Sequence, residues 1–253
     1  MLLNYKEIGN GPPIFILHGL FGSSDNWSTI SKSLQDHYRI ILPDLRNHGN
    51  SPKSDVWNYK VMVEDIIELY NLLNIQSAMV VGHSMGGKVA MELCLNNENL
   101  VDKLVVVDIA PKYYPVHHDH ILKALNSLDL KTITSRNQAE ASLAKQIHDG
   151  GVRNFLLKNI GRNSDGFYWK INLEVITKNI EQVGKSQVVD KPIETPTLFV
   201  RGSESNYIED QDMTHIRSMF SNVKLATVKN AGHWVHSEKP AEISEMLKYF
   251  FNN

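Results

Sequence analysis

A chain of 253 residues, 42 % of them hydrophobic, can bury the core of one large α/β domain or of a core with an insertion, and it is too apolar to be disordered. Lys and Arg number 26 against 28 Asp and Glu, a net charge of −2 with no basic block, which argues against nucleic acid or an anionic membrane as partner and favours a small neutral substrate. The N-terminal MLLNYKEIGN has neither the basic flank nor the apolar run of a signal peptide, no segment reaches membrane-spanning length, and the single Cys94 permits no intrachain disulfide, so a cytoplasmic protein is expected.

Along the chain, short apolar runs alternate with helical patterns, the βαβα rhythm of a parallel sheet. Ile14, Phe15, Ile16 and Leu17 read as a strand running into the glycine-rich loop His18-Gly19-Leu20-Phe21-Gly22-Ser23-Ser24. The segment 39–44 is the next strand, followed by the polar loop Asp44-Leu45-Arg46-Asn47-His48-Gly49-Asn50-Ser51, in which His48 is more simply a brace for the turn than a base. Apolar residues at Val63, Ile66, Ile67, Tyr70 and Leu73 mark a covering helix over 59–73, with Glu64, Asp65 and Glu68 read as its solvated face.

The segment 78–96, AMVVGHSMGGKVAMELCLN, reads as strand, sharp turn and helix, and its centre is Gly82-His83-Ser84-Met85-Gly86. This is the G-x-S-x-G arrangement, in which a serine at the tip of a strained strand-to-helix turn presents its hydroxyl, with glycines where a Cβ would meet backbone. An acyl-transfer site needs backbone N–H groups around a developing oxyanion, and Leu20 in the glycine-rich loop and Met85 after the serine are the two donors expected. Cys94, on the apolar face of the helix, is a packing residue.

A further strand over 104–107 is closed by Asp108, either a turn cap or a site residue. From 111 to 190 the strand rhythm stops, with helical patterns at 121–130, 138–147, 152–160 and 173–183 and a short extended piece at 167–171. This stretch is expected to form a helical cap inserted into a core made of residues 1–110 and 191–253. Phe21 and the cap aromatics Tyr113, Tyr114 and Trp169 are the candidates for lining a modest acyl pocket. In the run His117-His118-Asp119-His120 only His117 and His120 would share a helical face, so no metal site is expected. The sheet resumes at 197–200 and 223–228, and a closing helix spans 240–250. Among eleven histidines, His233, following the last strand on an Ala-Gly turn, is the best-placed base for Ser84, and His236 the fallback.

The motifs HGLFGS, DLRNHGNS, GHSMGG and AGHWVHSEKP together resemble the α/β-hydrolase superfamily over nearly the whole chain, and DLRNHG, VVDIAP and RGSESNYI look most like its YbfF-type esterases. The resemblance implies an α/β-hydrolase fold, a mostly parallel sheet flanked by helices with a helical cap, and hydrolysis of esters or thioesters of short or medium acyl chains without a cofactor. It implies Ser84 as nucleophile, His233 as base, and Leu20 and Met85 as oxyanion donors. Many relatives carry the acid at the position of Ser205, which holds no charge, and Glu204 is one residue short of it. The YbfF-type pattern has its acid at the position of Asp108. An acyltransferase, a lyase, a carbon–carbon bond hydrolase and a slow ligand-binding receptor are the rival readings, since one fold hosts many functions.

Overall fold

The computed structural model describes residues 1–253. The chain runs through β1 (Tyr5–Ile8), β2 (Pro13–Leu17), α1 (Ser28–Leu34), β3 (Arg39–Pro43), α2 (Tyr59–Leu72), β4 (Ala78–His83), α3 (Met85–Asn96) and β5 (Val101–Val107). After an insertion it continues with β8 (Thr197–Gly202), α8 (Asp212–Met219), β9 (Val223–Val228), α9 (Val235–Glu238) and α10 (Pro240–Asn252). These strands form one sheet in the order β1-β3-β2-β4-β5-β8-β9, parallel except for β1 on β3. The chain winds outward from β2 to one edge and from β4 to the other, so the carboxyl ends of β2 and β4 flank the topological switch point, where open α/β sheets form a binding crevice.

Period-two alternation within the buried strands sends each side chain to one of two cores. Phe15, Ile41, Val80, Val106 and Phe199 pack with α2 and α3. Ile14, Ile40, Val81, Val105 and Leu198 face the other way, against α1 and α10. The helices start where capping chemistry permits: the Asn58 side chain accepts the Val61 N–H ahead of α2, and Pro240, whose missing N–H costs nothing in a first turn, opens α10. Asp65, expected on a solvated face, is fully buried, because Arg46 reaches it from the loop after β3 with two hydrogen bonds of 2.6 and 2.7 Å.

Between β5 and β8 lie α4 (Asp119–Asn126), α5 (Arg136–Ala144), α6 (Gly150–Leu157), the hairpin β6 (Ile160–Asn163) and β7 (Gly166–Trp169), and α7 (Leu173–Lys178). Leu122, Leu125, Leu143, Leu156, Ile171 and Ile176 of this insertion continue the core on the α2–α3 side without a break. The helical pattern at 152–160 overran: the helix ends at Leu157, and Ile160 instead pairs with Trp169 across a tight turn that Gly166 closes at φ 120°. The pattern at 173–183 divides into α7 and a 3₁₀ turn, Ile180–Gly184. No helix is long and apolar enough to cross a membrane.

Candidate active site

Ser84 sits between the last residue of β4 and the first of α3, with φ 52° and ψ −120°. An L-residue held there stores about 1–3 kcal/mol. The strain is held from both sides: Ser84 N–H donates to the Val107 carbonyl of β5 at 3.0 Å, and the Ser84 carbonyl accepts the Lys88 N–H at 3.0 Å. The flanking glycines are required by contact. A Cβ on Gly82 would lie 2.3 Å from the Gly86 carbonyl oxygen, and one on Gly86 2.4 Å from that of Leu17.

His233, in the loop after β9, brings Nε2 to 3.1 Å from Ser84 Oγ and Nδ1 to 2.8 Å from Asp108 Oδ2. With the proton on Nδ1, the imidazole donates to the carboxylate and accepts from the serine hydroxyl. Asp108 follows β5 at φ 53° and is fully buried; its Oδ1 accepts the Gly202 N–H at 3.1 Å, and its Oδ2 also accepts a hydrogen bond from Ser205 Oγ. Ser205 thus supports the carboxylate from the position where many relatives of the superfamily carry the acid, and the carboxylate itself stands at Asp108, where the YbfF-type pattern has it. Glu204 is exposed and its side chain makes no hydrogen bond.

The glycine-rich loop after β2 reaches the same place. His18 Nδ1–H donates to the Gly19 carbonyl at 2.8 Å and its Nε2 accepts the Leu45 N–H at 2.9 Å, so this buried ring is neutral; burial holds its pKa below the ordinary histidine value. Gly22 N–H closes the turn on Gly19 O at 2.9 Å, and the Leu20 N–H, beside Ser84, has no protein acceptor. Met85, first residue of α3, has no acceptor for its N–H within the helix. Both residues border the cavity at Ser84.

Tyr114 lines that cavity, and Phe21 lines the larger space on the other side of Ser84. Tyr113 and Trp169 line neither, which corrects the reading of both. Tyr113 is 59 % exposed, because its neighbour Tyr114 is the one turned inward, where it accepts the Ala110 N–H and donates to the Tyr207 carbonyl. Trp169, on β7, packs against the apolar cluster of the insertion, away from the cavity. His236 is buried in α9, stacked on Trp27 with centroids 4.5 Å apart, and burial lowers its pKa to about 3, so it braces the site as a neutral ring. His48, also buried, donates from Nδ1 to the Arg46 carbonyl at 3.0 Å. His117 donates from Nδ1 to the Pro115 carbonyl and accepts the Tyr207 hydroxyl on Nε2 at 2.6 Å, so neither nitrogen is free for a metal.

Two residues escaped the sequence reading. His83, the variable position of G-x-S-x-G, donates from Nε2 to the His233 carbonyl at 2.8 Å, tying the His233 backbone to the elbow; burial, with His236 and His233 beside it, holds its pKa well below the usual value. Tyr207 stacks on the His233 ring, centroids 3.9 Å apart. Each stands inside a quoted motif, His83 in GHSMGG and Tyr207 in RGSESNYI, but neither motif assigns it a contact with His233.

Comparison with known proteins gives the family. The alpha/beta hydrolase fold family matches residues 12–240. The chain is 38 % identical over 251 residues to the sn-1-specific diacylglycerol lipase ABHD11 of Danio rerio, covering 95 % of this chain and 79 % of that one. It is 35 % identical over 245 residues to Esterase YbfF of Escherichia coli strain K12, covering 96 % and 94 %. A solved structure named as a marine microorganism esterase superposes with a TM-score of 0.96 at 40 % identity, over 98 % of this chain and 99 % of that one. A serine elbow at the switch point of a mostly parallel sheet, a histidine loop after the last strand and full-length likeness to proteins named as esterases and lipases all agree: this chain belongs to the alpha/beta hydrolase fold family.

Proposed function

We propose that the chain is a serine hydrolase of carboxylic esters with short to medium acyl groups, working through an acyl-enzyme. The observation that carries this is the unbroken line from Ser84 Oγ through both nitrogens of His233 to the buried Asp108 carboxylate, beside two unbonded backbone N–H groups. Ser84 Oγ attacks the ester carbonyl as His233 Nε2 takes its proton; Asp108 keeps the ring in the required tautomer and stabilises the imidazolium. The carbonyl oxygen, now negative, is met by Leu20 and Met85 N–H, donors already in place that need no reorganisation. His233 returns the proton to the leaving alcohol, and water then repeats the sequence on the acyl-enzyme. No step calls for a cofactor. Thioesters fall within the same chemistry, residues 111–190 act as the cap, and one buried cysteine suits a reducing cytoplasm.

The test is turnover of p-nitrophenyl acetate and butyrate by the wild type and by Ser84→Ala. The variant should stay folded and lose about 10⁵–10⁶ in kcat, because nucleophile and base act as a unit. A fluorophosphonate should label the wild type once, at Ser84. A folded alanine variant with most of its activity would overturn the reading, and product analysis with an added alcohol separates hydrolysis from acyl transfer.

A further inference from the structure

The space around Ser84 is divided in two. One chamber, about 150 Å³, is bordered by Phe21, Asn26, Val152, Phe155, His233 and Trp234. The other, about 20 Å³, lies beneath the insertion and is bordered by Met85, Ile109, Tyr114, Val116, Ile180 and Val183. Ser84 and Leu20 face both chambers, and so do His117, His118 and Tyr207. The 2.6 Å hydrogen bond from the Tyr207 hydroxyl to His117 joins two residues that border both chambers, and it is fastened by Tyr114 on the Tyr207 carbonyl and by the Pro115 carbonyl on His117.

The direction of proton transfer assigns the two halves of an ester to the two chambers. The leaving oxygen must collect its proton from His233 Nε2, so the alcohol half departs on the side of His233, and His233 borders only the larger chamber. The carbonyl oxygen turns to the Leu20 and Met85 N–H groups. What remains on the carbonyl carbon, the acyl chain, lies away from His233, where only the smaller chamber opens. A cavity needs about 10–15 Å³ on this measure to hold one water molecule, so the smaller chamber admits a group the size of a methyl or ethyl.

Resting on the ester-hydrolase reading, we infer that the small chamber is the acyl seat and the large one the seat of the alcohol or thiol half, so that the preferred substrates are acetyl- or propionyl-class esters of bulky, apolar alcohols. Val183 and Ile180 then set the acyl length, while Phe155 and Val152 set the alcohol.

Two substrate series on the wild type test this. In p-nitrophenyl esters from acetate to octanoate, kcat/KM should fall about tenfold or more by hexanoate, since a single misfitted methylene in an apolar pocket can cost tenfold. In acetates of methyl, butyl, benzyl and 2-phenylethyl alcohol it should hold or rise with size. Val183→Ala and Ile180→Ala should move the acyl optimum to longer chains, and Phe155→Ala should leave that optimum in place while changing the alcohol preference. A longer acyl optimum from Phe155→Ala but not from Val183→Ala, or a flat acyl series beside a steep alcohol series, overturns the assignment and leaves the hydrolase reading intact. Absence of turnover on every ester overturns both. The wild-type series decides even if a variant fails to fold.

Discussion

Tyr207 lies flat against His233, the ring centroids 3.9 Å apart and the planes within 18° of parallel. Tyr207 is fixed at two points, its phenol hydroxyl on His117 and its backbone carbonyl under the Tyr114 hydroxyl, so the face behind the imidazole is rigid. An aromatic pair of this kind contributes about 0.5–1.5 kcal/mol beyond its buried area. Tyr207→Phe keeps the face and should hold kcat within about threefold of wild type. Tyr207→Ala should lower kcat by about 2- to 10-fold and shift the acidic limb of the kcat/KM pH profile, the limb that reports the free enzyme's essential base, which a purely structural loss would not move. Equal losses in the two variants would place the effect in the His117 hydrogen bond instead.

The carboxylate behind His233 is the second testable point. Asp108 accepts from His233, Gly202 and Ser205, whereas Glu204 accepts from nothing. Asp108→Asn should cost about 10³–10⁴ in kcat, Glu204→Gln less than about tenfold, and Ser205→Ala an intermediate amount, up to about 100-fold for a hydrogen bond to a charged group. If Asp108 only capped its turn, its loss would cost about 1 kcal/mol of stability and spare catalysis. Measuring kcat together with the urea midpoint of all three variants separates these cases.

The elbow glycines make a stability claim of their own. The atoms that an added Cβ would strike, the carbonyls of Gly86 and Leu17, are backbone and cannot swing aside. Gly82→Ala and Gly86→Ala should each destabilise by about 1–3 kcal/mol and, because the strand and helix must part to make room, displace Ser84 and abolish labelling by a fluorophosphonate. Full labelling of a stable Gly86→Ala protein would contradict this.

What could be read in the sequence follows how local each cause is. The central strands and α3 are runs whose periodicity is set by their own burial, and Ser84 and His233 each stand in a motif of a few residues. The fold class, an α/β hydrolase with a mostly parallel sheet, was legible for the same reason. The edge strand β1 was not, since YKEI alternates too weakly to register and forms only because β3 offers it an antiparallel partner. Asp65 looked solvated because Arg46, nineteen positions away, gave no local sign of turning inward. Tyr113 and Tyr114 are adjacent and equivalent in pattern; the partners that bring one of them inside, Ala110 and Tyr207, act across a turn and across the sheet edge. Tyr207 and His233 meet only because parallel β8 and β9 bring their following loops together.

Lys88, one turn after Ser84 on α3, carries the last expectation. It is fully buried, and its Nζ donates to the carbonyls of Lys112 at 2.6 Å and Lys185 at 2.8 Å, so a single amine holds both ends of the insertion while lying 5.1 Å from the centre of the Tyr114 ring. Burial lowers its pKa to about 7, with Glu92 pulling it up and Lys112 pushing it further down. A neutral amine still has two N–H groups, one for each carbonyl, so deprotonation keeps both bonds. The sign follows from proton counting. Between about pH 7 and the ordinary lysine value of about 10.4 the unfolded chain holds a proton that the folded chain has given up, so the Lys88 contribution to stability rises with pH there, by up to about 1.4 kcal/mol per unit. Below about pH 7 both states are protonated and the contribution is flat at its least favourable level. Lys88→Met removes this pH dependence and takes the donor from the half-buried Lys112 and Lys185 carbonyls, at up to about 1–3 kcal/mol each. Urea unfolding of wild type and variant at pH 6, 7, 8 and 9 should therefore show the variant falling further behind as pH rises above 7. A difference constant from pH 6 to 9 would mean that Lys88 stays charged throughout and binds the two carbonyls as an ammonium.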